Sequence, residues 1–151
     1  GFFFGLNSGV LTTSGLISGL IQTNINYKIL IISVLSLAIS DSFSESYGLY
    51  LSKKAEDIKD ITKGPLLSMM SLFTTKFVIV MSFLIPLLFS RSLKIYKNLS
   101  WVIGWSVLLL FILDYNLGSM RNESFCMYFV PHIIVLFLVI YSTRLFSNWL
   151  K

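Results

Sequence analysis

Residues 29–52 read ILIISVLSLAISDSFSESYGLYLS, and two carboxylates, Asp41 and Glu45, stand inside this otherwise uncharged run. A helix crosses the hydrocarbon core of a bilayer with about 20 mostly apolar residues. The run is long enough to do so, and its reading as a span decides the fold. Small and polar residues recur at Ala38, Asp41, Glu45, Gly48 and Ser52, spaced by three and four, which places them on one helical face. Residues four apart are neighbours on a helix, so the two acids point the same way. An ionised side chain at the centre of a bilayer costs about 2.5–3.5 kcal/mol on insertion scales, so that face must meet protein or water rather than lipid. A second row, Ser33, Ser36, Ser40 and Ser44, carries polarity beside it.

The rest of the chain agrees with a membrane setting. Of 151 residues, 55% are hydrophobic and 13% charged, and the mean hydropathy is +0.79. Soluble domains carry roughly 25% charged residues. Five spans fit, at about 2–22, 29–52, 65–89, 101–117 and 127–148, in one all-α, polytopic domain covering residues 1–151. The net charge of +5 would suggest nucleic acid in a soluble protein, but here Lys and Arg fall between apolar runs, where they face water and lipid headgroups. The partners expected are therefore the lipid bilayer and not nucleic acid. The single Cys126 excludes an internal disulfide framework. The first span lacks charge but carries Asn7 and Ser8 and precedes further spans, so it reads as a truncated span and not as a signal peptide.

Within that first span Gly5/Gly9 and Gly15/Gly19 form two small-xxx-small pairs, a pattern that lets helices approach closely in lipid. Ser8 and Thr12 continue the stripe. The connection KKAEDIKDITKG (53–64) is the one strongly charged segment, and Pro65 suits the first turn of the helix after it. The third span holds one charge, Lys76, and a late Pro86 that should kink or end the helix. Trp101 and Trp105 mark an interface at the start of the fourth span. Lys and Arg divide five and five between the two sides before Arg144 is placed, so charge does not set the orientation. The sequons at Asn98 and Asn122 fall on opposite sides if the fourth span crosses.

The chemistry available to the acid pair is limited. A bound cation, a shared proton or an ion pair with Lys76 could compensate it, and antiparallel second and third spans bring Lys76 to a comparable depth. Oxygen ligands suit hard or borderline divalent cations such as Mn²⁺, Fe²⁺, Mg²⁺ or Ca²⁺. His132 beside Pro131 reads as structural, the five methionines as packing, and Asp114 and Glu123 as solvated flanks of the fourth connection. The sequence has no HExxH, P-loop or GxGxxG motif and no Ser-His-Asp spacing, and the chain is read as not an enzyme.

The stretches GLNSGVLTTSGLISG (5–19) and AISDSFSESYGLYLSKKAE (38–56) resemble the first two spans of the vacuolar iron transporter (VIT/CCC) family. GPLLSMMSLFTTKFVIVMSFLIPLLF (64–89) is similar to its third span, with a leading Pro and a closing Pro-Leu. The resemblance implies a five-span homodimer with a path at the subunit interface and proton-coupled transport of Fe²⁺ or Mn²⁺. No permanently bound cofactor is implied. It further implies that Asp41 and Glu45 are the metal ligands and that Asn7, Ser8, Thr12, Ala38, Ser44 and Gly48 line the path, with Lys76 tuning its charge. The membrane implied is vacuolar or another internal one, or the plasma membrane in a prokaryote.

Three departures stand out. Asn7-Ser8-Gly9 replaces the family's Asn-Asp-Gly, Glu45 stands where a Met is expected, and Leu49 stands where a Glu is expected. The segment 53–64 takes the place of a large cytosolic metal-binding insert, as in shorter members. The alternative expectation is a member that no longer transports, in which Lys76 neutralises the acids and the protein serves as a structural or regulatory membrane subunit.

Overall fold

The computed structural model describes residues 1–56, 63–90 and 97–151. All regular structure among them is helical: α1 (Phe2–Gln22), α2 (Tyr27–Glu56), α3 (Lys63–Ser82), α4 (Leu84–Ser90), α5 (Leu99–Arg121) and α6 (Phe125–Trp149). Five segments are long and apolar enough to cross a membrane, with α3 and α4 together making the third. By architecture this is a multi-pass integral membrane protein.

The helices overrun the boundaries expected from hydropathy. The second segment runs from Tyr27 to Glu56, so Lys53–Glu56, expected in the connector, form the last turn of α2. The rest of the connector, 57–62, lies outside the described residues, as do 91–96. The fourth segment ends at Arg121 instead of 117, because Asn122 takes a left-handed conformation (φ 53°) and donates its N–H to Gly118 O as a C-cap. Pro86 acts as expected. It has no N–H to give, and the helix breaks at Phe83, whose own N–H reaches back three residues to Val80 O before α4 begins.

Helix α1 packs against each of the other four spans. It can do so because its two glycine pairs serve different neighbours. A Cβ on Gly5 would lie 2.9 Å from Leu72 O and 2.8 Å from Leu72 Cδ1 of α3, whereas one on Gly15 would lie 2.9 Å from Val139 Cγ1 of α6. Polar side chains add contacts along the same helix. Ser14 and Ser106 hydroxyls are 2.6 Å apart between α1 and α5, and those of Ser18 and Thr143 are 2.7 Å apart between α1 and α6. Gln22 Nε2 donates to Asn148 Oδ1 at 3.0 Å. Such contacts matter in lipid, where the hydrophobic effect does not drive helices together.

The packed face of α2 differs from the one expected. Its fully buried row is Leu30, Val34, Ala38, Ser42 and Ser46, at a constant spacing of four. Rows of that spacing are inclined to the helix axis, so the contact with α3 spirals around α2 instead of following the 3–4 face drawn from Ala38 to Ser52. Asp41 and Glu45 flank the buried row, while Ser44, Gly48 and Ser52 fall on the outward side. A Cβ at Gly48 would meet nothing within 4 Å in this chain.

Candidate functional site

Near the midpoints of α2 and of the third segment, three helices bring four polar side chains together. Lys76, on α3, is completely buried. Its Nζ lies 2.7 Å from Asp41 Oδ2, an ionic contact without hydrogen-bond geometry, and it donates to Glu45 Oε2 and, at 2.9 Å, to Ser8 Oγ. Ser8 in turn donates to Glu45, with both carboxylate oxygens at 2.9 Å. The serine hydroxyl thus accepts from the ammonium and gives to the carboxylate, using its one donor and one of its acceptor sites.

Each helix contributes for a local reason. Asp41 and Glu45 are one turn apart on α2 and so reach the same ammonium. Gly9 on α1 leaves space for the lysine stem: a Cβ there would sit 3.5 Å from Lys76 Cγ and 3.1 Å from Ile79 Cγ2. The charges approach from different sides. The Lys76 side chain has no exposure, whereas those of Asp41 and Glu45 retain 29% and 27% on the outward side of the chain. Two formal negative charges therefore face one positive charge, and the excess lies toward the outside.

The expected site residues divide accordingly. Ser8, Asp41, Glu45 and Lys76 converge. Ala38 is buried one turn from Asp41, and Thr12, exposed, spends its hydroxyl on Ser8 O. Ser44 and Gly48 do not reach the cluster from within this chain. Asn7 is turned by about 100° from Ser8, as successive helical residues are, and its buried Oδ1 has no hydrogen-bond partner. Among the described residues no three His, Cys, Asp or Glu side chains are grouped to hold a metal. The oxygen-rich set that exists is Asp41, Glu45 and Ser8, and the Lys76 ammonium sits at its centre.

One pairing was not foreseen. Asp114, expected to be solvated, is fully buried, and its Oδ1 lies 2.7 Å from His132 Nδ1 of α6. Asp114 falls within the span expected at 101–117, but on α5 it joins the buried residues Leu110, Leu113 and Gly118, and its side chain meets α6 instead of water. His132, read from the sequence as a lone structural residue, has this carboxyl group as its partner. No family model, curated protein or solved structure matches this chain.

Proposed function

We propose that this protein is a membrane cation carrier in which Asp41 and Glu45 form the exchange site and Lys76 is a tethered competitor for it. The excess of one carboxylate over the single ammonium, on the outward side of α2 at mid-span, is the observation that carries this reading. A lone buried bridge needs one acid, and the second acid supplies a charge that a passing cation or proton can neutralise. The donors are oxygens, which suits a hard or borderline divalent cation as substrate, with Mn²⁺ or Fe²⁺ following from the family resemblance. The cation reaches the site from the exposed edges of the two carboxylates and displaces the Lys76 ammonium from them. The outward face of α2, with Ser36, Ser40, Ser44 and Gly48 beside the two carboxylates, is the surface a second copy covers, which completes the path at a homodimer interface.

A radioactive Mn²⁺ uptake assay in proteoliposomes tests the proposal directly. Wild-type flux should exceed that of the D41N/E45Q double mutant at least tenfold, and equal fluxes would sink it. A second reading is favoured by the complete burial of Lys76 and by the three contacts it makes to α1 and α2: the cluster is a staple and the protein a non-transporting membrane subunit. The two readings diverge on what happens when Lys76 is removed.

A further inference from the structure

We propose that the end of the bundle where α1, α4 and α6 finish and α2 and α5 begin is a docking surface for the phosphate-bearing headgroups of anionic lipids.

Three hydrogen bonds draw these helix ends to one level. Gln22, the last residue of α1, donates to Asn148 near the end of α6. Tyr27, the first residue of α2, donates its hydroxyl to Leu87 O of α4 at 3.3 Å, and Lys97, just before α5, donates to Asn24 Oδ1, just after α1, at 2.9 Å. Arg144, which the sequence leaves unplaced, belongs to the same end, because its neighbour Thr143 meets Ser18 one turn before α1 finishes.

Charge is divided unevenly between the two ends of the bundle. Of the seven acidic residues, Asp41, Glu45 and Asp114 lie inside spans, and Glu56 and Glu123 lie at the opposite end. The remaining two, Asp57 and Asp60, belong to the connection between α2 and α3, which joins helices at that opposite end. None is left for the end described above. Its cations among the described residues are Lys28, Lys97, Arg144 and Lys151, all exposed, and none of them is paired with a carboxylate side chain there. The opposite end sets Lys53, Lys54 and Arg121 against Glu56 and Glu123. Where no acid intervenes, the fields of neighbouring cations add instead of cancelling, and each Lys or Arg at a membrane surface attracts an anionic headgroup.

The cations also stand at headgroup depth. Long basic side chains near the ends of spanning helices extend to the interface. All three tryptophans, Trp101, Trp105 and Trp149, lie within two turns of the ends that α5 and α6 present here, and Trp149 is fully in contact with the surroundings at 81% exposure. Indole rings concentrate at the boundary between hydrocarbon and headgroups. A basic, acid-free surface bordered by tryptophan fits a lipid headgroup better than a soluble polyanion, which has no use for the belt.

This surface stands on its own geometry and does not depend on Asp41, Glu45 or cation transport. Because every tryptophan of the chain lies beside it, intrinsic fluorescence reports on it directly. The purified full chain is reconstituted in vesicles of phosphatidylcholine and phosphatidylglycerol, with brominated acyl chains on one lipid or the other, and quenching measures which lipid lies against the tryptophans. Phosphatidylglycerol should associate at least about fivefold more strongly than phosphatidylcholine, the effect of a single Lys or Arg at a membrane surface. The ratio should fall toward one in K28Q/K97Q/R144Q and stay unchanged in K54Q/R121Q, a control at the opposite end. Equal quenching by the two lipids in the wild type overturns the proposal. A preference that survives the triple variant overturns the assignment of these residues, and one abolished by inorganic phosphate at constant ionic strength reveals a soluble-anion site in place of a lipid surface. If the triple variant does not fold, the wild-type comparison still decides the matter.

Discussion

Lys76 is the residue on which the two functional readings divide, because one side chain satisfies three partners on two other helices. Replacing it by Met removes the only cation from a buried cluster and leaves two carboxylates facing each other. Breaking a buried pair by removing one partner costs about 3–5 kcal/mol. Since both carboxylates keep an exposed edge, the expected loss for K76M is on the order of 3 kcal/mol, read as a lower unfolding midpoint in detergent. If Lys76 is a tethered competitor, Mn²⁺ restores that midpoint by occupying the vacated position. If it is a staple, added Mn²⁺ leaves the mutant as unstable as before. The depth match between Asp41, Glu45 and Lys76 was readable from rise per residue. The bridging role of Ser8 was not, because a hydroxyl gives no periodic signal of its partner. Asp114 was misread for a similar reason: its environment depends on which face of α5 the helix α6 covers, which no local pattern shows.

Among the elements, α1 carries the greatest demand on side-chain size. Its glycine pairs were recognisable as packing signals, but which neighbour each pair meets depends on the arrangement of the bundle. Gly5 faces backbone, Leu72 O at 2.9 Å, which cannot move aside without shifting α3. Gly9 faces Ile79 Cγ2 at 3.1 Å, a side-chain contact that can yield by a few tenths of an ångström. G5A should therefore destabilise the protein more than G9A, by about 1–3 kcal/mol against less than about 1 kcal/mol, in a detergent unfolding series. Equal losses would show that α1 and α3 are further apart than described. On α2 the direction of the lesson reverses. The 3–4 spacing from Ala38 to Ser52 identified the acids as neighbours but misdirected the face, since the row that packs is the four-spaced one through Ser42 and Ser46.

For the molecule as a whole, the outward side of α2 is the face whose polarity calls for a cover. Carboxylate edges and the serine row Ser36, Ser40 and Ser44 face out of the bundle beside Phe43 and Tyr47, which are also exposed. If, as proposed, a second copy covers this face across a two-fold axis, Ser44 lies near its counterpart. In a C126S background, S44C should form a disulfide-linked dimer in membranes under mild oxidation, visible as a doubled mass on non-reducing gels. A control cysteine at Ser142, exposed on α6, should not. Crosslinking at Ser142 in preference to Ser44 would move the interface to α6 and leave the proposed path without its second wall.

Local signals set the class of molecule: the count of spans, the break before Pro86, and the conjunction of two acids with one lysine at mid-depth. Each of these is local, set by hydropathy over about 20 residues, by a missing N–H, or by rise along a helix. Which partner each polar group takes depends on how the helices pack. The approach of α3 over Gly5 and Gly9 seats the Lys76 ammonium between Asp41, Glu45 and Ser8, and the packing of α6 on α5 buries Asp114 against His132. Such pairings join residues 18 to 68 positions apart in the chain. Helix rotation and crossing, to which composition and periodicity are blind, bring them together.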